Sequence, residues 1–364
     1  MTFKENLRFK ILGSKAFGKS IIKSNRDYYL SFKSMRWGGE LTFGEEIEHV
    51  FGIFLTDKEM ADEKLKEEMR IDMVWCYYRF GAVPREYFLM DFPHSDDKKR
   101  ATYLTTRHKD NVMTEKVGRG KNWDLLEDKN MFYRNFGQFF HRDVFQFNEE
   151  CTKEGFKEFC QKHDIMICKP IAGQCGKGVE ILKLADHDND SDKAYDYLKS
   201  KGSFIVEELI QQDERTKQFN PSSVNTVRLP AFINKTGFHI MRPVFRTGRS
   251  GVIVDNAGSG GIFSVIDEKT GICRTDGYDE FGGIFECHPD SGVRYKGFQI
   301  PDWEGLLKFA EEVHRTIPWY PYVGWDLAYT PNGWILVEGN WGQIVCEYAE
   351  REGVKKMFDD FFDK

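Results

Sequence analysis

From residue 323 to 343 the chain reads VGWDLAYTPNGWILVEGNWGQ. Two strand-like runs, 324–330 and 334–338, flank Pro331-Asn332-Gly333. A short Asn-Gly turn between apolar runs is a strong hairpin signal. With Asn332 at the centre of the turn, Thr330 faces Trp334, and counting back sets Asp326 opposite Glu338. Asn340 lies two residues beyond Glu338 and so shares its face. Two carboxylates opposed at roughly 5 Å repel each other unless something sits between them. A Mg²⁺ ion does that, taking hard oxygen ligands from carboxylates and amides and filling its other positions with phosphate oxygens and water. The alternative is a solvated hairpin face with unpaired acids, and the apolar sequence on both sides argues against it.

The chain before this hairpin changes character once. Up to about residue 145 it reads as helical. Ile47, Val50, Phe51, Phe54 and Leu55 recur at helical spacing, and Leu65, Met69 and Met73 continue on one face. Asp57 is placed to cap the second helix, with 58–65 following, and Gly81-Ala82-Val83-Pro84 stops it. The basic segment 95–107 reads as a solvated helix face rather than a loop over a charged ligand. His108 and His141 read as surface or satisfied core residues. Asp128 is placed to cap a helix that starts with Lys129 and Asn130, and a lysine there can turn into a cleft and reach a phosphate.

After His141 the pattern shifts to strands. A helix over 153–163 leads to a short buried strand ending in Lys169 and Pro170. Gly173-Gln-Cys-Gly-Lys-Gly178 follows, and then a second strand over 179–184. Strand, glycine loop, strand is how a flap folds over a polyphosphate, with backbone N–H groups near the oxygens and Lys169 as a point charge. An ordinary glycine-rich hairpin reads the same way. The spacing is not that of a Walker A loop, and no helix follows directly. The run 204–210 (FIVEELI) is a strand ending in two acids. It is either an edge strand or the border of an adenine slot formed by the backbone of residues 207–209, with Asp213 or Glu214 on the ribose. Residues 225–246 form another hairpin, turning at 234–237; counting about Lys235-Thr236 sets Arg228 near Pro243 and brings Arg228 and Arg242 close. Clustered arginines beside an acidic metal site suggest an anion between them. The glycine-rich run 254–262 could place backbone donors at a substrate.

Taken in order, the pieces are a DK lysine, KP before a glycine loop, an apolar strand ending EE, an N-x-x-R strand, DN…GG, and D…ExN. This ordered set resembles the ATP-grasp superfamily, most closely the members associated with sugar transfer and polysaccharide genes. The resemblance runs from roughly Asp128 to the C-terminus, and Tyr87, Phe88 and Arg100 share the subgroup's flavour. It implies an α+β ATP-grasp fold, two lobes clasping ATP, behind a largely helical N-terminal region. The expected divisions are 1–145, 146–208 and 209–364. It implies that Lys129 and Lys169 hold phosphates and that Gly173, Gly176, Lys177 and Gly178 belong to the flap. Glu207, Glu208, Leu209 and Glu214 would line the nucleoside, and Asp326, Glu338 and Asn340 would hold Mg²⁺, with Mn²⁺ able to substitute. Arg242 would lie on the transferred phosphoryl group and Arg228 or Arg246 on an acyl substrate, with Asn256, Ser259, Gly260 and Gly261 nearby. Two features depart from many relatives: Gly324 stands where those ligases carry an arginine two residues before the first metal aspartate, and the N-terminal region is helical.

The activity implied is ADP-forming ligation of a small-molecule carboxylate to an amine through an acyl phosphate, in polysaccharide or conjugate synthesis. A small-molecule kinase would need only an alcohol acceptor on the same fold, and a non-catalytic nucleotide-binding protein would not need the full metal set. A net charge of −6 gives no support for a nucleic-acid partner. Eight scattered cysteines without a CxxC pair fit a reduced, cytoplasmic protein. No apolar run reaches membrane-spanning length.

Overall fold

The structure, a computed structural model, describes residues 3–33, 40–117, 124–171, 178–251, 260–340 and 346–363. The chain divides into two compact units. One joins Met1–Lys116 with Glu280–Gly283 and Val345–Lys364; the other is Val117–Asp279 with Ile284–Ile344. Among the described residues no helix is long and apolar enough to cross a membrane.

The second unit carries two sheets. The smaller is built from β1 (Val144–Phe147), β2 (Ile165–Pro170), β3 (Glu180–Lys183) and β4 (Phe204–Glu208), in the order β1-β4-β2-β3. Met166 and Cys168 on β2 and Phe204 and Val206 on β4 pack with Phe156, Phe159, Ala194 and Leu198 from the helices Lys153–Cys160 and Ser191–Lys201. Alternation then turns Lys169 and Glu207 to the opposite face. The two strands flanking the glycine loop pair antiparallel, with Ile165 opposite Lys183.

The larger sheet comprises β5 (Thr226–Asn234), β6 (Gly237–Ile240), β7 (Val244–Thr247), β8 (Ile262–Val265), β9 (Gly277–Tyr278), β10 (Ile284–Phe285), β11 (Tyr322–Thr330) and β12 (Gly333–Asn340). Its order is β10-β9-β8-β7-β5-β11-β12, with β6 paired to β5. The helix Trp303–Arg315 buries Trp303, Leu306, Ala310, Val313 and His314, a helical stripe. Trp325 of β11 faces this stripe, its Nε1 donating to His314 Nδ1 at 3.3 Å. Asp326, one residue on, therefore faces away from the helix.

The β11–β12 hairpin differs from the counted register at its turn. Thr330 pairs with Gly333 and Tyr329 with Trp334, one residue out from the expected Thr330–Trp334 pair. Gly333 takes a φ of +107°, which glycine adopts without a Cβ penalty. Leu327 still pairs with Leu336, but Asp326 pairs with Glu338, so Val337 is an extra residue. A bulge of this kind reverses which face the following side chains occupy. It brings Glu338 opposite Asp326, the pairing the sequence count gives, but by a different route.

In the first unit, the helix Glu63–Phe80 starts at Asp62, whose Oδ1 accepts from Leu65 N at 3.0 Å, and stops at Gly81 in a left-handed conformation, φ +80°. The expected cap at Asp57 is corrected: Thr56 caps the short helix Asp57–Met60, and Asp62 caps the long one. The segment around Arg100 is also not a solvated face. The Arg100 guanidinium is buried, donating to Phe92 O at 2.6 Å and to Asp72 Oδ2 at 2.9 Å, while Tyr87 O–H donates to the same oxygen at 2.8 Å. Charged residues in sequence mislead here because their partners come from a helix 28 residues away.

Glu347 ties the C-terminal segment into this unit. Its Oε1 accepts from Leu104 N at 2.9 Å and from Val354 N at 2.7 Å, fully out of solvent. Burial raises its pKa to about 8, against the two N–H groups, which favour ionisation, and with a smaller push from Glu86. The folded value lies above the unfolded one, so this group's contribution to stability is present in acid and lost as pH rises from about 4.3 toward about 8. Glu347→Gln keeps an acceptor oxygen and removes the titration. In thermal melts, the stability of wild type relative to this variant falls between pH 5 and pH 8; a difference that stays constant contradicts the assignment.

Candidate active site

Asp326 is 2% exposed and holds two guanidiniums. Arg228, directly opposite on β5, donates from Nε to Oδ1 and from Nη2 to Oδ2, the latter at 2.8 Å. Arg246 of β7 donates from Nη1 to both oxygens at 3.1 Å. Burial alone would raise the Asp326 pKa, but Arg228 and then Arg246 outweigh it and hold the carboxyl at about 2. Arg228 is shifted in the opposite sense: burial disfavours its charge, and Asp326 more than restores it.

Across the hairpin, Asn340 Nδ2 donates to Glu338 Oε1 at 3.0 Å and to Asp326 Oδ2 at 3.3 Å. The crowding of the Glu338 carboxyl by protein atoms, then the neighbouring Asp326 charge, raises its pKa. Its side chain keeps solvent-facing surface, which tempers that shift. Two opposed carboxylates form a hard-oxygen pair of the type Mg²⁺ takes, and Glu338 is exposed; Asn340 turns its amide nitrogen to them, so its carbonyl would join such a set only after the amide rotates.

The smaller sheet contributes lysines. Lys169 Nζ lies 2.9 Å from Glu207, which is 3% exposed. Burial would raise the Glu207 pKa, but Arg142 and Lys169 lower it below the usual value. Lys129 follows Asp128, whose Oδ1 accepts from Met131 N at 2.9 Å, the cap expected from sequence. Burial lowers the Lys129 pKa, and Glu338, Lys169 and Glu207 are the next charges acting on it. The two lysines and the acids of both sheets therefore share one electrostatic neighbourhood.

The other expected residues stand as follows. Arg242 sits between β6 and β7 with a φ of +47°, its backbone N–H donating to Glu268 at 2.6 Å. That irregularity shifts the β5–β7 register by one, so Arg228 faces Val244, next to the Pro243 of the count, and Arg246 is the arginine of β7 that reaches Asp326. Glu214 is exposed and paired with Lys217 at 2.9 Å, and Asp213 caps its short helix and binds Arg215. Glu208 turns to the helix side, accepting from Asp143 N at 3.0 Å. Leu209 is half-buried just beyond β4. Gly178 stands at the foot of β3 with a φ of +75°, and Gly260 and Gly261 lead into β8. Gly173, Gly176, Lys177, Asn256 and Ser259 lie outside the described residues.

Sequence reasoning missed Arg142. It lies in a polar triplet, His141-Arg142-Asp143, before β1, where nothing local separates a buried arginine from a surface one. A second group able to hold an ion joins Asp143, His163 and Glu208, whose ligand atoms all lie within 4.8 Å of one another. His163 Nε2 and Asp143 Oδ2 are already hydrogen-bonded at 2.9 Å.

Residues 110–361 match the family described as sugar-transfer associated ATP-grasp. No curated protein matches the chain. Similar solved structures include D-alanine–D-alanine ligase from Coxiella burnetii, 10% identical over 65% of this chain and 53% of that one, TM-score 0.35. D-alanyl-alanine synthetase A from Vibrio cholerae is 9% identical over 66% and 63%, TM-score 0.39. VanG D-Ala:D-Ser ligase from Enterococcus faecalis is 15% identical over 65% and 61%, TM-score 0.38. The matched region thus spans between half and two thirds of these proteins' own length.

Removing Asp326 takes the directly bonded carboxylate from two largely buried guanidiniums. Asp326→Ala is expected to cost about 3 kcal/mol or more in urea unfolding. Asp213→Ala, which breaks a pair with the mostly exposed Arg215, should cost about 1 kcal/mol or less beyond the loss of its helix cap. Equal effects of the two changes would contradict the burial argument.

Proposed function

Because this chain belongs to the sugar-transfer associated ATP-grasp family, we propose that it is an ATP-dependent, ADP-forming ligase that joins a small-molecule carboxylate to an amine. The observation that carries the reading is the facing of Asp326 and Glu338 across β11 and β12, bridged by Asn340 and backed by Arg228 and Arg246. In this reading the four-stranded sheet is the small lobe and the eight-stranded sheet the large one.

Asp326, Glu338 and Asn340 would hold Mg²⁺, which when bound neutralises phosphate charge. Lys129 and Lys169 take the phosphates, with the backbone beyond Glu207 at the base. Arg228 and Arg246 keep Asp326 ionised, and one of the two would also meet the carboxylate of an acid substrate. The carboxylate oxygen attacks the γ-phosphorus as the bond to ADP breaks, giving an acyl phosphate. The amine lone pair then attacks the acyl carbon, phosphate leaves, and the amine proton passes to solvent or phosphate. Positioning and charge carry most of such a reaction, so a dedicated base is not required.

A screen of acid and amine pools for ADP release, read by mass spectrometry, tests this. With the true acid, hydroxylamine should trap a hydroxamate. Glu338→Gln, and Asp326→Asn assayed where circular dichroism shows it folded, should each reduce turnover at least about a hundredfold. A phosphorylated alcohol, with no hydroxamate from any acid, would move the assignment to a kinase. Unchanged turnover in either variant would remove the metal assignment.

A further inference from the structure

Arg142 links the two sheets through one buried guanidinium. Its side chain is 3% exposed, and Nη2 lies 2.7 Å from Glu207 Oε2. Nε donates to that same oxygen at 2.8 Å. Nη1 donates to the carbonyl of Leu336 at 2.7 Å and to that of Phe140 at 3.1 Å. The Phe140 ring lies beneath it, 4.2 Å from the guanidinium carbon. Leu336 is the last residue of β12 before the extra Val337, two residues from Glu338. Glu207 also holds Lys169 at 2.9 Å. One side chain therefore touches both the carboxylate that anchors a lysine and the strand that carries an acid of the proposed metal pair.

A buried carboxylate needs a countercharge. If Lys169 alone supplied it, moving Lys169 to a phosphate would strand the Glu207 charge. Arginine stays protonated, and the fork of Arg142 is fixed at once by a carboxylate and two carbonyls, so it does not move with the ligand. We propose that Arg142 is a positioning residue for polyphosphate binding. It neutralises Glu207 permanently, so that Lys169 can transfer its charge to nucleotide phosphates, and its bond to Leu336 holds the lysine-bearing sheet against the acid-bearing strand. This rests on the reading of Lys169 as a phosphate ligand.

The test compares MgADP, followed by calorimetry, with adenosine, followed by ligand-observed NMR. Arg142→Gln should weaken MgADP by about tenfold or more, the range of a lost charge-assisted hydrogen bond, while adenosine changes by less than about twofold. Arg142→Lys keeps the charge but loses the fork, and should show the same MgADP-selective loss at about threefold. That second variant carries the test if the first does not fold by circular dichroism. Equal losses for MgADP and adenosine mean a purely structural role and overturn the proposal. A wild-type protein that binds neither ligand overturns the nucleotide reading itself, and this proposal with it.

Discussion

Val337 has no partner across its hairpin: Leu327 meets Leu336, and the next pair is Asp326 with Glu338. In a regular ladder Glu338 would share a face with Leu336, which is fully buried on the core side. The bulge turns it to face Asp326 instead. Two acids then meet in a setting where repulsion is strong, and the sheet answers with cations on the next two strands, Arg228 on β5 and Arg246 on β7. Two carboxylates and two guanidiniums sum to no net charge. A divalent cation arriving with a polyphosphate adds charge of both signs to that neutral group, so neither has to enter an unbalanced field.

The smaller sheet repeats the arrangement, a buried acid held by two cations. Glu207 is the buried acid, and Arg142 and Lys169 are its cations. Lys129 feels charges from both groups. The core of the small sheet, from Phe147 to Val206, sits on the far side with its two helices, so the charged face is left to the cleft by alternation alone. Packing therefore fixes which face carries the paired charges.

Much of this was legible in local sequence. The hairpin was marked by Pro331-Asn332-Gly333, the lysine helix by Asp128, and the paired strands β2 and β3 by two short apolar runs around glycines. The register error at the turn was invisible because an Asn-Gly pair fits several loop lengths, and the bulge that compensates for it leaves no mark in the residue pattern. The count brings Arg228 and Arg242 together; the irregular backbone at Arg242 shifts the strand by one, and Arg246 is the arginine bonded to Asp326. Arg100, Arg142 and Glu347 were misread or missed for a common reason. Their partners lie at Asp72, Glu207 and the Leu104 backbone N–H, and a long-range polar contact has no periodicity to detect. The tie between the C-terminal segment and the N-terminal helices is likewise written only in three dimensions.

The central claim is that the acids brought together by the Val337 bulge hold the cation. Crystals grown with Mn²⁺ and a non-hydrolysable ATP analogue, measured at the manganese absorption edge, locate the metal without reference to activity. The account predicts an anomalous peak within bonding distance of Asp326, Glu338 and Asn340, with phosphate oxygens completing its shell. A peak elsewhere, such as at Asp143, His163 and Glu208, with none at the hairpin, would contradict it.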